Sequence, residues 1–168
     1  MSISKPIYII VAVAKNGVIG QQGHLPWRIP EDWDYMLNCT RGGIMIEGRR
    51  CYEELGGALP GRKTIVLSRR LPPLADALTA TSLAHALDQA QSLPEGNIIW
   101  IAGGEQVYKE AMPLARRLYI TRIDHAFEGD THFPAWQDYF PHCLESRASS
   151  DANYRYTFEV YSKTSGCD

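Results

Sequence analysis

The pattern of apolar and polar positions changes its period from one segment of the chain to the next. Ile7–Val13 and Asn97–Ala102 are almost continuously apolar, as in strands that are buried on both faces. Between such runs lie segments whose apolar residues recur every three or four positions, which is typical of helices packed on a sheet. Strands and helices in alternation predict the α/β class, with a mostly parallel sheet and helices on both faces.

The same pattern predicts where the elements begin and end. Ser82 is expected to cap its helix through the side-chain oxygen. The predicted strands are Ile7–Val13, Gly43–Glu47, Thr64–Ser68, Leu78–Thr81, Asn97–Ala102 and Leu118–Ile123, and the predicted helices run over 30–40, 48–55, 83–90 and 105–112.

The last part of the chain has a different period. Tyr154, Tyr156, Phe158 and Val160 alternate with more polar residues, which is the pattern of a half-buried antiparallel strand. We therefore predict a C-terminal antiparallel hairpin at the edge of the sheet. The two strands of this hairpin and the six strands predicted above make a sheet of eight strands.

Composition is that of a soluble globular protein and does not indicate a binder of charged polymers. Its 168 residues suit one domain over 1–168, with 45% hydrophobic and 21% charged residues and a net charge of −2. The basic excess of a nucleic-acid or membrane-surface binder is missing. No apolar run has the length of a membrane span.

The four cysteines indicate the compartment. Cys39, Cys51, Cys143 and Cys167 show neither a C-x-x-C spacing nor a histidine at metal-ligand spacing. They are expected to be reduced thiols of a cytoplasmic protein, with no metal site. Lys5 and the apolar run after it resemble a signal peptide, but a buried first strand explains the run better.

The segment Gly20–Asp32 is the first candidate for chemistry. Pro30 suits the first helical position, and Glu31 and Asp32 follow where the helix dipole favours carboxylates. A helix start with two solvated acids is one interpretation. The alternative is that one carboxylate leans into the apolar wall, loses hydration and relays a proton. Periodicity does not choose between neighbours about 100° apart on a helix.

Glycines mark three strand ends where an α/β sheet binds ligands. These junctions are Gly17–Gly23, Gly48 with the arginines that follow it, and Gly103–Gly104. Helix N-termini bind phosphates, and glycine lets the backbone approach closely. Such glycines are often only turns, but the basic pairs Arg49–Arg50 and Arg69–Arg70 favour a dinucleotide with an extra phosphate, NADPH rather than NADH.

Seven motifs in order give the chain a resemblance to a known family. They are Asn16–Gly20, Leu25-Pro26-Trp27 with Pro30 and Asp32, Gly48-Arg49, Leu59–Arg62, Ala102–Gly104 with Val107-Tyr108, Leu118–Thr121, and Gly129–Pro134. In these motifs, over about Ile7 to Tyr161, the chain resembles dihydrofolate reductase. The resemblance implies an NADPH-dependent enzyme that transfers a hydride to pterin C6 of dihydrofolate and protonates N5.

The resemblance also implies roles for single residues. Asp32 matches the family's one acidic residue in the pterin pocket, and Thr121 the threonine that hydrogen-bonds to it. Trp27 resembles the tryptophan that helps to hold a proton-delivering water, and Leu25 belongs to a loop that closes over the nicotinamide. Gly103–Gly104 resembles the family's Gly-Gly link, a cis peptide beside the cofactor.

Binding residues follow from the same resemblance. Arg62 matches the arginine that clamps the glutamate α-carboxylate of folate, although its local sequence suits a surface arginine. The implied substrate-binding residues are Ile10, Val11, Trp33, Met36, Leu55, Leu59, Arg62, Ala102 and Tyr108. The implied cofactor-binding residues are Ala12, Ile19, Gly20, Gly48, Arg49, Arg50, Cys51, Leu67, Ser68, Arg69, Gly103, Gly104, Glu105, Gln106 and Val107.

Three features depart from the family pattern. Cys51 stands where a threonine is common, which removes a hydroxyl that caps the helix and contacts cofactor phosphate. Glu47 occupies a normally apolar position, and we expect it to face solvent because an unpaired buried carboxylate is costly. Trp33 and Met36 replace the usual lining, so they should reshape the pocket in which substrate and antifolate inhibitors bind.

The resemblance leads to one expected function and two alternatives. We expect a monomeric, cytoplasmic dihydrofolate reductase that takes NADPH and that antifolates inhibit. A related reductase of another pterin or of a ribosylated pyrimidine would not need the Arg62 clamp. A non-catalytic nucleotide-binding relative would not need Asp32, Trp27 and Thr121 together.

Overall fold

The computed structural model describes residues 4–70 and 72–165. Within these residues the elements follow one another as a single α/β domain. They are β1 (Ile7–Ala14), β2 (Val18–Gly20), α1 (Pro30–Thr40), β3 (Ile44–Gly48), α2 (Arg49–Glu54), β4 (Lys63–Leu67), β5 (Leu78–Ala80), α3 (Leu83–Ser92), β6 (Ile99–Ile101), α4 (Glu105–Ala111), β7 (Arg117–Ile123), β8 (Thr131–His132), β9 (His142–Ser150) and β10 (Arg155–Ser162).

An eight-stranded sheet forms the centre of the molecule, in the order β5-β4-β3-β6-β1-β7-β10-β9. The first six strands of this order are parallel, and β10 and β9 close the edge as the predicted antiparallel hairpin. The fold class is therefore confirmed. Tyr156, Phe158 and Val160 are buried, as their alternation with polar residues predicts.

Helices cover both faces of the sheet. On one face, Ile9 and Val11 of β1 pack with buried residues of α3 and α4. On the other face, Tyr8 and Ile10 pack with Trp100, and partly buried residues of α1 join them. Successive strand residues point to opposite faces, so the continuous apolar run of β1 fills both layers. This burial explains why its sequence lacks alternation.

Helix starts agree with their sequence signals. The Ser82 side chain accepts a hydrogen bond from the backbone amide of His85 and so caps α3 as predicted. Pro30 occupies the first turn of α1, with Glu31 and Asp32 beside it. In α2 the N-cap is Gly48, and no side chain caps the helix.

A small second sheet was not predicted. Strand β2, inside the segment expected to be a loop, pairs antiparallel with β8. The two strands have three and two residues, too short for a periodic signal in the sequence. Their pairing fixes one end of the chain segment that leads to Leu25.

None of the helices in the described part of the chain has the length and apolar character needed to cross a bilayer. Cys39, Cys51 and Cys143 are free thiols. Cys167, which was expected to be one as well, lies outside the described residues.

Candidate active site

Two adjacent cavities open at the carboxyl ends of the central strands β3, β6 and β1. The larger has a volume of about 590 Å³ and the smaller about 290 Å³. Seven residues line both and are called the junction here: Val11, Ala12, Leu25, Cys51, Glu54, Ala102 and Tyr108. The position agrees with the general rule for ligand sites in open α/β sheets.

Asp32 lies in the smaller cavity, on the first turn of α1. Thr121 of β7 is buried opposite it and hydrogen-bonds to the carboxyl group. Burial raises the pKa of Asp32; the Thr121 hydrogen bond lowers it and the nearby charge of Glu31 raises it further. As a result the pKa of Asp32 lies above its ordinary value, so this carboxyl holds a proton more readily than an exposed aspartate does.

Glu31 faces away from this cavity, toward the C-terminal hairpin. Its Oε1 accepts hydrogen bonds from the Ser149 hydroxyl (2.6 Å) and the Tyr156 hydroxyl (2.8 Å). Its Oε2 accepts one from Arg147 (3.2 Å). These contacts, with the Ser149 hydrogen bond the strongest, hold the pKa of Glu31 below its ordinary value. The structure thus separates the two acids that periodicity left equivalent.

Glu47 corrects one expectation from the sequence. It was expected to face solvent, but its side chain is only 1% exposed and lines the smaller cavity. Neither carboxyl oxygen has a hydrogen-bond partner within the described residues, and burial raises the pKa of Glu47 to about 7. The position is internal because β3 lies between β4 and β6, so a residue at its end still faces the protein interior. A single chain gives no signal of such burial when the residue is charged.

Gly103 and Gly104 line the larger cavity. The Gly103–Gly104 peptide is cis, as the resemblance implies. Gly103 has a φ of 122°, and a Cβ there would lie 2.9 Å from the Cys51 sulfur. The amide of Gly48 donates to the Gly103 carbonyl at 2.8 Å. Only glycine fits this backbone conformation and this close approach.

The segment before α1 is held over the cavities by two carboxylates. Asp130 accepts a hydrogen bond from the Gln22 amide (3.0 Å), and Glu54 accepts one from the Leu25 amide (2.8 Å). The Leu25 side chain remains 46% exposed while it lines both cavities. This segment therefore covers the junction through backbone contacts that its sequence does not reveal.

Trp27 lies beside the site rather than in the smaller cavity. It lines a third cavity, of about 300 Å³, together with Leu25, Asp32 and Trp33. The indole is 6% exposed and packs on the Phe127 ring, and its Nε1 has no hydrogen-bond partner within the residues described. A buried N–H donor is thus available next to Asp32.

Most of the expected binding residues surround the two cavities. The larger is lined by twelve of the fifteen cofactor candidates: Ala12, Ile19, Gly20, Gly48, Arg49, Arg50, Cys51, Gly103, Gly104, Glu105, Gln106 and Val107. The smaller is lined by seven of the nine substrate candidates: Ile10, Val11, Trp33, Met36, Leu55, Ala102 and Tyr108.

The remaining candidates lie elsewhere. Leu67 is the last residue of β4, one strand further out than β3, and Ser68 and Arg69 follow it; none of the three lines the larger cavity. Leu59 does not line the smaller one. Arg62 lies beyond α1, where its guanidinium donates to the carbonyls of Pro60 (2.6 Å) and Leu37 (3.0 Å).

Sequence reasoning missed several residues of the lining. His24, Glu54, Asp130 and Thr131 line the larger cavity, and Tyr35, Met45 and Glu47 line the smaller one. Asp130 and Thr131 belong to the quoted Gly129–Pro134 motif and could have been selected from it. His24 lies in the segment Gly20–Asp32 and could have been selected as well, and Glu47 was noted but expected to face solvent. Glu54, Tyr35 and Met45 gave no signal, because tertiary contacts bring them to the site.

Comparison with known proteins assigns the family. The family model described as dihydrofolate reductase matches residues 6–163. The chain is 37% identical to dihydrofolate reductase of Staphylococcus haemolyticus over 161 residues, covering 94% of this chain and 95% of the relative. It is 41% identical to dihydrofolate reductase type 3 of Salmonella typhimurium over 138 residues, 79% of this chain and 83% of the relative.

A solved structure agrees with these relatives. Dihydrofolate reductase from Enterococcus faecalis, complexed with NADP(H) and RAB-propyl, superposes with a TM-score of 0.84 at 30% identity. The match covers 94% of this chain and 95% of that one. Sequence and fold agree over nearly the whole length, and the chain belongs to the dihydrofolate reductase family.

Proposed function

We propose that this chain reduces 7,8-dihydrofolate to 5,6,7,8-tetrahydrofolate with NADPH, and that Asp32 and Thr121 form its proton-delivering site. One observation carries the assignment of the site: a carboxyl with a raised pKa lies in the smaller cavity, next to the junction with a larger, glycine-lined cavity. Hydride transfer needs the two rings in contact, and the junction is where ligands of the two cavities meet.

The larger cavity suits a phosphorylated dinucleotide. Arg49 and Arg50 line it, and guanidinium groups bind phosphate through paired hydrogen bonds. Gly48 and Gly104 present backbone without side chains, so a ligand can approach the chain closely. When bound there, NADPH supplies the hydride that adds to pterin C6. Arg69, although outside the lining, is proposed to contact the 2′-phosphate.

Asp32 is proposed to favour the protonated pterin. Because burial raises its pKa, the carboxyl holds a proton more readily than an exposed aspartate does, and it can support protonation of N5. Thr121 orients this carboxyl by its hydrogen bond. The buried Nε1–H of Trp27 can hold a water on the path of the proton.

Arg62 is proposed to bind the α-carboxylate of the substrate's glutamate. Two of its N–H groups are fixed by backbone carbonyls, so the guanidinium plane is held in place. Leu37, one of those partners, follows Met36 of the smaller cavity, which puts the guanidinium at the far end of α1 from Asp32. A ligand with its pterin at Asp32 and its tail along α1 would reach it.

The test is consumption of NADPH by the purified protein on addition of dihydrofolate. NADH and a ribosylated pyrimidine serve as parallel controls. Rapid oxidation of NADPH with dihydrofolate alone supports the proposal. Turnover with the pyrimidine would favour the related reductase, and tight NADPH binding without turnover would favour a non-catalytic relative. Arg62→Met should raise the KM for dihydrofolate but not the KM for NADPH. Its matched control, Arg69→Met, should raise the KM for NADPH but not the KM for dihydrofolate.

We also propose that the enzyme is a monomer in the cytoplasm. Support comes from the cysteine content, typical of a reducing compartment, and from both cavities being built from one chain. Size-exclusion chromatography with light scattering tests the oligomeric state. A mass twice the chain mass at working concentration would contradict it.

A further inference from the structure

Glu47 lines the smaller cavity together with the carboxyl residues Asp32 and Glu54, and it has no role in the reaction proposed above. Its side chain is 1% exposed, and both of its oxygens lack hydrogen-bond partners among the described residues. A buried, unpaired carboxyl costs free energy, and cores rarely retain one without a function. The question is which ligand group it serves.

The position of Glu47 relative to the junction indicates which ligand group its carboxyl acts on. It precedes Gly48 at the end of β3, and the pairing of Ile46 with Ile101 puts it beside Ala102 of the neighbouring strand. Its charge acts on the Cys51 thiol and on the Tyr108 hydroxyl. Because Ala102, Cys51 and Tyr108 all line both cavities, the Glu47 carboxyl, which lines the smaller one, lies next to the junction.

The junction is where the reacting rings meet under the proposed function, on which this inference rests. The nicotinamide ring is neutral in NADPH and positively charged in NADP⁺. A carboxylate near the ring attracts the charged form and has little effect on the neutral form. We propose that Glu47 determines the cofactor redox preference of the site, because its carboxyl favours the oxidised over the reduced nicotinamide.

The effect must depend on pH. Glu47 is neutral below its pKa of about 7 and charged above it, so the preference for NADP⁺ grows as pH rises. Asp32 also titrates in the same cavity, so its contribution to the pH dependence must be separated from that of Glu47. The titratable groups that face or surround Glu47 are Cys51, Tyr52 and Glu54 of α2, Tyr108 of α4, and Asp32 and Tyr35 of α1.

The experiment measures the dissociation constants of NADP⁺ and NADPH without folate, between about pH 5.5 and pH 8.5. The ratio of the two constants cancels the 2′-phosphate, which both cofactors carry. In the Asp32→Asn background we expect Kd(NADP⁺)/Kd(NADPH) to fall by about tenfold as pH rises, and to stay flat when Glu47→Gln is added. Equal slopes with and without Glu47→Gln would overturn the proposal.

A second Glu47 variant and the Asp32→Asn protein alone give two further tests of the proposal. Should Glu47→Gln fail to fold, Glu47→Met fills the position with the apolar character expected there, and it must also give a flat ratio. The Asp32→Asn protein alone must show the fall, and a constant ratio in it overturns the proposal without any Glu47 variant. Wild-type protein that oxidises NADPH with dihydrofolate yet shows no Glu47-dependent ratio disproves only this inference. Protein that binds no NADPH disproves the proposed function itself.

Discussion

Glu31 and Asp32 are neighbours in the first turn of α1, yet they belong to different regions of the molecule. Glu31 faces the C-terminal hairpin, where three side chains hold its pKa below the ordinary value. Asp32 faces the smaller cavity, where burial holds its pKa above the ordinary value. The difference shows that the environment of a carboxyl decides whether it is held as an anion in a hydrogen-bonded contact or holds its proton more tightly than usual.

The largest expected effect separates the two acids by activity. Asp32→Asn removes the proton-holding group but keeps its shape, so we expect turnover at neutral pH to fall roughly 10²- to 10⁴-fold. NADPH binding should stay close to wild type, since Asp32 does not line the larger cavity. Steady-state kinetics and cofactor titration measure both.

Glu31→Gln is the matched control for that substitution. It is equally conservative and lies one residue away, but its side chain faces the hairpin. Turnover in this variant should stay within about threefold of wild type, the scale of less than 1 kcal/mol. A large loss with Glu31→Gln, or normal turnover with Asp32→Asn, would refute the assignment of the acid.

Glu47 extends the comparison to a buried carboxyl without a hydrogen-bond partner among the described residues. We expect its ionisation to lower the stability of the folded protein. Its folded pKa, about 7, lies above the ordinary 4.5, so the native state holds the proton more tightly than the unfolded chain does. The associated stability is present below about pH 4.5 and is lost as pH rises through about 7, an effect on the order of 3 kcal/mol. Glu47→Met should abolish this loss.

Urea unfolding at several pH values measures the effect. The free energy of unfolding of the Glu47→Met protein should exceed that of wild type at about pH 8 by clearly more than at about pH 5. Equal differences at both values would mean that Glu47 ionises in the folded protein as it does in the unfolded chain.

Glu31→Ala tests how much the contacts of Glu31 with the C-terminal hairpin stabilise the fold. It leaves the Ser149 and Tyr156 hydroxyls, both at the hairpin, without their acceptor. Because Glu31 is partly exposed, solvent replaces some of the lost bonds, and we expect a loss of about 1–2 kcal/mol in unfolding free energy. Ser149→Ala should give a smaller loss in the same denaturation experiment. Unchanged stability in Glu31→Ala would show that these contacts do not hold α1 to the hairpin.

Thr121→Val tests how much the Asp32 carboxyl depends on its one hydrogen bond. The bond lowers the pKa of Asp32, so its loss should move the alkaline limb of the activity profile to higher pH. The rate should fall about fivefold, the equivalent of one ordinary hydrogen bond. Thr121→Ser, which keeps the hydroxyl, should restore the wild-type profile. A profile unchanged in Thr121→Val would leave Thr121 with a packing role.

The fold was largely readable from the sequence because its signals are local. The apolar run of β1, the Ser82 cap and the alternation of Tyr156, Phe158 and Val160 each determine one element from a few neighbouring residues. Strands β2 and β8 escaped prediction because they are too short to show a period.

The site was less readable because its geometry depends on contacts between distant parts of the chain. The choice of Asp32 over Glu31 rested on the resemblance, and the structure adds the reason, which is the hairpin 118 residues from Glu31 in sequence. The burial of Glu47 follows from the position of β3 inside the sheet. The hydrogen bond from the Leu25 amide to Glu54 forms because the loop before α1 meets α2. No local pattern encodes either.

Arg147→Met gives the smallest expected effect and tests the hairpin contact at its weakest point. Arg147 pairs with Glu31 at 3.2 Å and lies 4.5 Å from the Phe158 ring centroid, but more than half of its side chain is exposed. Exposed ion pairs contribute roughly 0.2–1 kcal/mol, and added salt screens them. The loss should therefore stay below about 1 kcal/mol and shrink in high salt, while the Glu31→Ala loss persists there, since its hydroxyl bonds are screened less. A larger, salt-independent loss in Arg147→Met would make the stacking on Phe158, rather than the charge, the main contact of this arginine.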